Sequence, residues 1–409
     1  MSRPGVSVDK VLVLNSGSSS IKFQLFECAH WGAIAAGAVA RIGEDEGEIS
    51  YRWTDAQGSE CTGAESRPIP NHRDGIERIV ASLRAGGALA DLSELAAIGH
   101  RVVHGGERFQ RPTVVDDAVA QAIRDMIPLA PLHNPANLDG IEVARALFPG
   151  VPSVAVFDTA FHQTMPGTAY RYAIPEHLYL KHRVRRYGFH GTSHQYVGER
   201  AAAVLGKPFA QCNLITLHLG NGASATAIRA GRSVDTSMGM TPLEGLVMGT
   251  RCGDLDPAII FYAAEQLALD NQALDDLLNR RSGLLGLCGV NDMREIHRLA
   301  AAGDANAELA IGITVQRIRK YLGAYYVELG VVDAIVFTGG IGENDSEIRR
   351  RACAGLENLG IVLDDAANRS VDRGERTISA PDSRVRVLVI PTNEELAIAQ
   401  QALAAVGRI

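Results

Sequence analysis

The sequence lacks several features that would assign it to a special class of protein. No apolar run reaches the ~18 residues that a membrane-spanning helix needs. No secretory pattern precedes Lys10, and a net charge of −7 gives no overall basic surface for nucleic acid. No two of the six cysteines have CxxC spacing, so neither a zinc site nor a disulfide framework is indicated; they lie at positions 28, 61, 212, 252, 288 and 353. We therefore expect a cytoplasmic protein without nucleic-acid or membrane partners.

What the chain does contain is typical of a globular protein. Its 409 residues are 46% hydrophobic and 21% charged, which is an ordinary balance. This length is sufficient for two or three domains, each with a substantial core.

The stretch from Val11 to Phe26 predicts a strand, a small-residue loop and a second strand. Val11 to Leu14 is an apolar run, Asn15 to Ser20 is rich in glycine and serine, and apolar residues then alternate with polar ones. Because the loop joins strand to strand, it differs from a Walker phosphate loop, which opens a helix. Small residues still allow backbone N–H groups to approach an anion. A plain hairpin turn would use the same residues, so this segment alone does not decide between them.

The same pattern recurs in the second half of the chain. Leu214 to Leu219 predicts a strand, Gly220 to Ser224 a small-residue loop, and Ala225 to Arg229 a further strand. Two such units indicate an internal duplication. The layout resembles that of the actin, sugar-kinase and Hsp70 superfamily, which implies an α/β fold of two duplicated actin-like (ribonuclease H-like) domains with a central cleft. We expect an N-terminal domain over 1–158 that is completed by a C-terminal helix, 394–409. The second domain would span 159–393, bind nucleotide and contribute to dimerisation.

Other local patterns give more specific expectations. The polar residues 51–71 predict a surface excursion, and Asn134 predicts an N-cap with Pro135 as the first helical residue. Residues 305–329 predict a long helix that Gly330 ends. Asp158 follows an apolar strand, at the strand end where open α/β sheets bind ligands.

The end of the chain carries a predicted capping box. Thr392 to Glu395 has the S/T-x-x-E form, which would engage Glu395 at the start of the last helix and leave Glu394 as the freer carboxylate.

Nine segments together resemble those of the acetate/propionate kinase family, in the family's order and over nearly the whole chain. They are LNSGSSSIKF, GHRVVHGGE, PLHNPAN, FDTAFH, YGFHGTSH, HLGNGAS, DTSMGMTPLEGLVMGTRCGDLDP, FTGGIGEN and IPTNEEL. The resemblance implies reversible transfer of the γ-phosphoryl group of ATP to acetate, giving ADP and acetyl phosphate. It further implies Mg²⁺, with Mn²⁺ able to substitute, and a homodimer.

The resemblance also implies roles for individual residues. Arg101 and Arg251 match the positions that hold the acetate oxygens and the moving phosphoryl group. His190 matches the histidine that stabilises the transition state, and His133 a helper lining the same site. Asp158 matches the essential acidic residue, whose role we expect to be orientation of Arg101, a water or a metal, since acetate is already deprotonated.

Further positions match the binding sites of the family. Asn15 and Glu394 match residues associated with Mg²⁺, whose preference is for oxygen ligands. The small apolar pocket for the acetate methyl group is matched by Val103, Leu132 and Pro242. Such a pocket discriminates one methylene by only ~1–3 kcal/mol, so propionate is expected to be a poorer but real substrate.

The nucleotide positions fall in both halves of the sequence. The matched residues are Lys22, His218, Leu219, Gly220, Asn221, Gly222, Asp292, Met293, Arg294, Gly340, Ile341, Gly342, Glu343 and Asn344. The run GLCGVNDMR is one residue shorter before Asp292 than is usual in the family.

Three alternatives stay open at this level. A propionate or butyrate kinase would need a slightly larger pocket, and substrate competition would distinguish it. An actin- or Hsp70-like assembly ATPase would keep both hairpins but would not require HRVVHGGE or Arg251. A non-catalytic nucleotide sensor would not require the complete set of polar site residues.

Overall fold

The computed structural model describes residues 9–55, 57–131 and 133–407. Contacts between residues divide the chain into two compact units. The first unit comprises Met1–Ala160 with Asn393–Ile409, and the second comprises Phe161–Thr392. The assignment of 1–158 with 394–409 and of 159–393 as two actin-like domains with separate tasks stays a prediction.

The first unit is built on a mixed sheet. Its strands are β1 (Lys10–Ser16), β2 (Ser20–Glu27), β3 (Gly32–Ala40), β4 (Gly47–Thr54), β5 (Glu60–Arg67), β6 (Leu95–Val102), β7 (Thr113–Val114) and β8 (Ser153–Phe157). The strand order is β5-β4-β3-β2-β1-β6-β8-β7. The strands β1 to β5 form an antiparallel meander, and β6 and β8 continue the sheet in parallel with β1.

The second unit contains a smaller sheet. Its strands are β9 (Leu214–Leu219), β10 (Ala223–Arg229), β11 (Arg232–Thr236), β12 (Ala334–Thr338), β13 (Arg376–Thr377) and β14 (Arg386–Val389). The order is β11-β10-β9-β12-β14-β13, with β9, β12 and β14 mutually parallel.

The two sheets repeat one topology. In each, three antiparallel strands connected by hairpins (β1-β2-β3 and β9-β10-β11) are extended by two parallel strands (β6-β8 and β12-β14) on the same side of the first strand. The predicted duplicated α/β fold is therefore confirmed. Both predicted small-residue loops lie at the tips of antiparallel hairpins, between β1 and β2 and between β9 and β10.

Helices complete both units. They are α1 (His72–Ala85), α2 (Asp117–Asp125), α3 (Asn134–Leu147), α4 (Gly167–Tyr170), α5 (Glu176–His182), α6 (Gly191–Leu205), α7 (Ala258–Leu267), α8 (Asn271–Arg280), α9 (Gly283–Cys288), α10 (Met293–Ala301), α11 (Ala305–Leu329), α12 (Gly339–Asn344), α13 (Ser346–Cys353), α14 (Asp365–Asn368) and α15 (Glu394–Ala405). In the part of the chain that the structure describes, no helix is both long and apolar enough to cross a membrane.

The long helix α11 has the predicted bounds because both of its ends are marked by local chemistry. The Asp304 side chain accepts hydrogen bonds from the backbone N–H groups of Asn306 and Ala307, and Gly330 follows the last turn with a φ of +71°. A capping carboxylate and a glycine of positive φ are common start and stop signals.

The last helix packs on the first sheet. Ile398 and Ala402 of α15 are fully buried in a core with Val11 and Val13 of β1 and Val154 of β8. At Gly99 of β6 an added Cβ would lie 2.7 Å from Cγ2 of Ile398, so the helix comes close enough to the sheet to require glycine. The described part of α15 therefore belongs to the core of the first unit.

The predicted surface excursion over 51–71 is wrong. This stretch completes β4 and forms β5, which pairs antiparallel with β4 from Gly47↔Arg67 to Thr54↔Glu60. Its polar residues conceal the strand because β5 is an edge strand with much of its length exposed, and edge strands tolerate polar and charged side chains.

The predicted N-cap at Asn134 is also wrong, by one residue. The helix α3 begins at Asn134 itself, and His133 occupies the N-cap without a capping bond from its side chain. The Asn134 amide is engaged elsewhere: its Oδ1 accepts from the backbone N–H of His104 at 3.1 Å, and its Nδ2 donates to the His104 carbonyl at 3.0 Å. These distant bonds prevail over the local cap.

The predicted capping box at Thr392–Glu395 does not form. The N-cap is Asn393, whose side chain accepts from the backbone N–H of Leu396, while the Thr392 hydroxyl lies 2.8 Å from the Ser193 hydroxyl. A bond between residues far apart in the sequence again replaces the local motif.

Candidate active site

The loop of the first hairpin is tightly braced. The Gly17 N–H donates to the Ser20 carbonyl at 2.7 Å, and Nδ2 of Asn137 donates to the Ser16 carbonyl at 2.7 Å. The predicted metal residue Asn15 lies opposite the predicted phosphate residue Lys22 across the two strands, and the Lys22 side chain is exposed. The structure therefore places these two residues next to each other at the base of this loop.

Arg101 and Asp158 form an ion pair at the carboxyl ends of two adjacent strands. Arg101 lies near the end of β6, Asp158 directly follows β8, and the two strands are parallel neighbours. The Arg101 Nε lies 3.1 Å from both Asp158 oxygens, and Nη2 lies 2.6 Å from Oδ2. The Asp158 side chain is 1% exposed, and its charge raises the pKa of the Arg101 guanidinium. This is the contact that an orienting role for Asp158 requires.

A second carboxylate faces the same guanidinium. Oε2 of Glu394, at the start of α15, lies 4.0 Å from Nε of Arg101. Burial raises the pKa of Glu394, and the negative charges of Asp158 and Glu395 add to the effect, while Arg101 opposes it. Arg101 and Lys22 therefore neutralise Glu394 only in part, and an added cation would favour its ionised form.

Two of the three predicted residues of the acyl pocket, Val103 and Pro242, lie among the described residues. Val103 is buried, and its backbone N–H donates to Oδ1 of Asn137 at 3.0 Å. Pro242 lies in the second unit, whereas Leu132 lies outside the described residues. His133, the predicted helper residue, stands at the N-terminus of α3.

In the second unit, the hairpin loop brings two predicted catalytic residues together. An added Cβ on Gly222 would lie 3.4 Å from Nε2 of His190 and 3.7 Å from Nη1 of Arg251. The imidazole and the guanidinium therefore both reach the tip of the loop between β9 and β10. The predicted residues Gly220, Asn221 and Gly222 form that tip.

Arg251 differs from Arg101 in the partners of its guanidinium. Its Nη1 donates to the Pro242 carbonyl at 2.9 Å and lies 3.5 Å from Sδ of Met248. Among the described residues, no carboxylate lies within salt-bridge distance of it. Burial accordingly lowers the pKa of this guanidinium, because the charged form is poorly solvated. An uncompensated cation beside a small-residue loop is suited to an anionic substrate.

The loop over 237–256 that carries Arg251 is anchored by residues that the sequence did not indicate. Arg186 donates from Nη2 to Oε1 of Glu244 at 2.5 Å and from Nη1 to the carbonyls of Thr236, Ser237 and Met238 at 2.9–3.1 Å. The Tyr172 hydroxyl donates to the other oxygen of Glu244 at 2.5 Å.

A second anchor holds the far side of this loop. Arg317 donates to the carbonyls of Gly245 and Asp254 at 2.8 and 3.1 Å, and the Tyr321 hydroxyl lies 3.0 Å from Oδ2 of Asp254. Because Arg317 and Tyr321 lie one helical turn apart on α11, helical spacing is the signal that could have paired them.

His190 is the end of a buried hydrogen-bonded chain. Its Nδ1 lies 2.9 Å from the Ser224 hydroxyl, which lies 2.7 Å from Nε2 of His194. Nδ1 of His194 lies 2.7 Å from the Thr216 hydroxyl. Because Nδ1 of His190 is engaged by Ser224, Nε2 is the nitrogen directed at Gly222. The sequence did not single out Ser224, His194 or Thr216, since each has the appearance of an ordinary buried strand or helix residue.

The predicted nucleotide residue His218 supports the same ring. It stacks on His190 with the ring centroids 4.3 Å apart, and its Nδ1 lies 2.9 Å from the Ser193 hydroxyl. Leu219 is buried, and its carbonyl would lie 2.7 Å from a Cβ on Gly339. Gly339 also has a φ of +76°, so the turn after β12 requires glycine on both counts.

Most of the predicted adenosine residues line one cavity of about 1020 Å³ in the second unit, near the upper end of small-molecule sites. The predicted residues around it are Gly220, Asn221, Asp292, Met293, Arg294, Gly340, Ile341 and Asn344. Sequence reasoning missed further lining residues, which are Asn291, His297, Asp345, Ser346, Glu347 and Arg373.

Two predicted nucleotide residues hold the cavity wall together instead of lining it. Glu343 accepts from the backbone N–H groups of Gly339 at 2.9 Å and Thr392 at 3.1 Å, and the Gly342 carbonyl accepts from the buried Arg349 at 2.8 Å. Asp292 does line the cavity, and it also caps α10 and pairs with Arg294 at 2.6 Å. These hydrogen bonds lower the pKa of Asp292 to about 2.

Comparison with known proteins decides the family. The model of the acetokinase family matches residues 10–400, which is nearly the whole chain. The chain belongs to this family. The resemblance inferred from the nine segments is therefore confirmed.

Individual relatives agree with the family. An acetate kinase of Syntrophobacter fumaroxidans is 53% identical over 400 residues, covering 98% of this chain and 97% of that protein. The crystal structure of an acetate kinase from Porphyromonas gingivalis is 43% identical with a TM-score of 0.92, covering 97% of this chain and 100% of that one. A propionate kinase structure from Francisella tularensis is also 43% identical, with a TM-score of 0.89 and coverage of 97% and 99%.

The burial of His162 predicts that the protein loses stability on acidification. Burial lowers the pKa of His162 to about 4. Its two ring nitrogens contact the Ser233 hydroxyl and the Phe189 carbonyl. Below pH ~6.5 this histidine binds a proton in the unfolded chain but not in the folded chain. The free energy of unfolding therefore decreases as the pH falls from about 6.5 to about 4. We expect His162→Gln to reduce this decline by up to about 1.4 kcal/mol per pH unit.

The measurement is urea unfolding of both proteins at a series of pH values. As the pH is lowered, the free energy of unfolding of the variant should decrease less steeply than that of the wild type. Its absolute value at neutral pH does not matter for this comparison. Parallel curves would contradict the assignment.

Proposed function

We propose that this protein is an acetate kinase that transfers the γ-phosphoryl group of ATP reversibly to acetate, giving ADP and acetyl phosphate. The observation that carries the proposal is Arg251, an uncompensated guanidinium at a phosphate-type loop, in a chain of the acetokinase family. Phosphoryl transfer depends on positioning and positive charge more than on covalent help, and Arg251 would supply positive charge from a fixed position.

The first unit would hold the acyl substrate. A carboxylate acceptor arrives deprotonated, so no general base is needed. Arg101 has its Nε and Nη2 engaged by Asp158 and would offer its remaining N–H groups to the acetate oxygens. The buried Asp158 would fix the plane of that guanidinium. Of the predicted pocket residues, Val103 lies in this unit and is proposed to contact the methyl group.

The second unit would hold the nucleotide. The loop over Gly220–Gly222 would contact the phosphates, and the cavity lined by Asp292, Arg294 and Gly340 would take the adenosine. Arg251 and Nε2 of His190 would face the phosphoryl group as its charge develops, which is the preorganised stabilisation that phosphoryl transfer needs. We propose further contacts with the nucleotide phosphates from His218 and Lys22. His133 is proposed as a further residue of the phosphoryl-transfer site.

The donor set fits Mg²⁺, and Mn²⁺ would suit the same ligands. Within the described residues, no group of three or more His, Cys, Asp or Glu could hold a metal. Mg²⁺ commonly binds through one or two carboxylates, waters and substrate phosphates, and the partly neutralised carboxylate of Glu394 suits this mode. We propose Glu394 and Asn15 as its protein ligands. When bound, the ion neutralises charge on the phosphates.

Propionate is a second candidate acceptor. A structure 43% identical to this chain carries the name propionate kinase. A small apolar pocket separates acyl groups that differ by one methylene by only about 1–3 kcal/mol, so we propose acetate as the better substrate and propionate as a weaker one.

We also propose that the chain forms a homodimer in the cytoplasm. The helix α7 leaves Phe261 and Tyr262 about two thirds exposed, at 69% and 67%, together with Ile259 at 49%. Large apolar side chains clustered on one exposed helix often mark a protein contact, and this supports the proposal.

The decisive experiment is a coupled assay of acetyl phosphate formation from Mg-ATP and acetate. We expect Arg251→Ala to lower kcat by about 10³-fold or more, as for other arginines that stabilise phosphoryl transfer, and Arg101→Ala to lower kcat/KM for acetate. Arg232→Ala, an exposed arginine of the same chain, serves as the control and should be silent. No acyl phosphate from acetate, propionate or butyrate, with ATP hydrolysis indifferent to Arg101, would overturn the proposed activity.

The hydrogen bond between Ser224 and His190 gives a prediction that tests whether Ser224 positions the imidazole. Removing the Ser224 hydroxyl frees Nδ1 of His190, so Ser224→Ala should lower kcat by about 10- to 100-fold with KM for ATP little changed. Thr226→Ala is the matched control, since its buried hydroxyl lies on the same strand and contacts Thr236 instead. An equal loss of kcat in both variants would indicate only a general effect of strand packing.

The adjacent glutamates of α15 give a matched pair for the metal. We expect Glu394→Gln to raise the Mg²⁺ concentration needed for half-maximal activity by about tenfold, and Glu395→Gln to change it little. Titration of activity with Mg²⁺ at fixed ATP measures both. The same shift in the two variants would refute the choice of Glu394.

A further inference from the structure

A second cavity lies in the second unit, at the opposite edge of its sheet from the hairpin loop. It has a volume of about 490 Å³, and its walls include Lys207, Tyr326, Val331, Asp333, Arg384 and Arg386. Asp333 and Arg386 stand at the amino-terminal ends of β12 and β14, whereas the proposed phosphate loops follow the carboxyl ends of β9 and β12. The length of β12, five residues, separates the two edges by about 16 Å.

The cavity carries an excess of positive charge. Its lining residues include three cations, Lys207, Arg384 and Arg386. They include one carboxylate, Asp333. That carboxylate is fully engaged, since Oδ1 lies 2.5 Å from Nζ of Lys207 and Oδ2 accepts from the backbone N–H of Asn213 at 2.8 Å. Among the described residues that line the cavity, no other carboxylate is present to neutralise the two arginines.

The arginines are held in different ways. Nη2 of Arg384 donates to the Tyr326 hydroxyl at 3.0 Å and to the Leu359 carbonyl at 2.9 Å, both of them neutral acceptors. The half-buried Arg386 makes no side-chain hydrogen bond or ion pair with any described residue, although its backbone N–H is held by the Asp333 carbonyl at 3.0 Å. A fixed backbone thus presents an unpaired guanidinium to the cavity.

We propose that this cavity binds a phosphate dianion, either free or as the head group of a small phosphorylated metabolite. The guanidinium fork of Arg386 matches phosphate oxygens bidentately, and Arg384 adds a second cation to the lining of the cavity. The exposed side chain of Val331, which is 69% exposed, and the Tyr326 ring supply an apolar wall for an organic portion.

This site is separate from the proposed catalytic machinery but structurally connected to it. The helix α6 begins directly after His190 and ends at Leu205, which lines the cavity. The strand β12 likewise leads from Asp333 to the turn at Gly339. An anion here would leave the hairpin loop accessible, so the inference does not depend on the proposed function.

The test is equilibrium dialysis of the full-length protein with labelled orthophosphate, at constant ionic strength and with saturating Mg-ADP. We expect Arg386→Gln to weaken phosphate binding at this site by about tenfold or more and Arg386→Lys to weaken it less, because lysine retains the charge but not the fork. The matched control is Arg232→Gln, which removes an exposed arginine elsewhere in the same unit and should leave binding unchanged. Phosphate held by the nucleotide loops is common to all four proteins and cancels in the comparison.

A second variant keeps the test valid if Arg386→Gln folds poorly. Val331→Glu places a carboxylate on the exposed wall and should weaken phosphate binding by repulsion, whereas Val371→Glu, at a position 94% exposed, should not. Phenyl phosphate that competes more strongly than orthophosphate would identify the ligand as a phosphorylated metabolite, and equal competition would favour free phosphate. Wild-type phosphate binding that is absent, or unchanged in both Arg386→Gln and Val331→Glu, would overturn the proposal.

Discussion

The ion pair between Arg101 and Asp158 is the constraint from which the first half of the site follows. A carboxylate buried as deeply as Asp158 is strongly unfavourable without a partner, so the guanidinium cannot leave it at low cost. Both residues stand where adjacent parallel strands end, which fixes their separation through the sheet itself. The docking of α15 then adds Glu394 to the same cation. One guanidinium thus holds a buried carboxylate in place and leaves a second one incompletely neutralised.

The second unit uses the opposite arrangement. Arg251 is held by a carbonyl and a sulfur atom, and no carboxylate among the described residues cancels its charge. The ion pairs are displaced outward, to Arg186 with Glu244 and Arg317 with Asp254, where they fix the loop that carries Arg251. Anchoring through neighbours allows a guanidinium to be both rigid and unneutralised. That combination is what stabilises charge in a transition state without reorganisation.

The sequence was informative wherever structure depends on local chemistry. Both hairpins and the bounds of α11 could be predicted because small-residue loops, alternation of apolar residues, an aspartate cap and a glycine stop act within a few residues of where they stand. The predictions at Asn134 and Thr392 were wrong because both side chains form hydrogen bonds with distant segments, Asn134 with the backbone of His104 and Thr392 with the hydroxyl of Ser193.

The same limit applies to the site. Family motifs indicated Arg101, Asp158, His190 and Arg251, but no pattern along the chain links Thr216, His194 and Ser224. Their contact exists only once α6 packs on β9 and β10, which is a property of the folded unit. Residues that hold a functional side chain in place are therefore harder to predict than the side chain itself.

The backbone of His190 shows what this support achieves. With a φ of +56° the residue is left-handed, a conformation that costs a non-glycine residue roughly 1–2 kcal/mol and persists only when its surroundings impose it. Here the surroundings do so: Ser224 holds one ring nitrogen, His218 stacks on the ring, and α6 starts at the next residue. These contacts therefore hold the strained backbone of His190 in place, and with it Nε2 beside Gly222 of the hairpin loop.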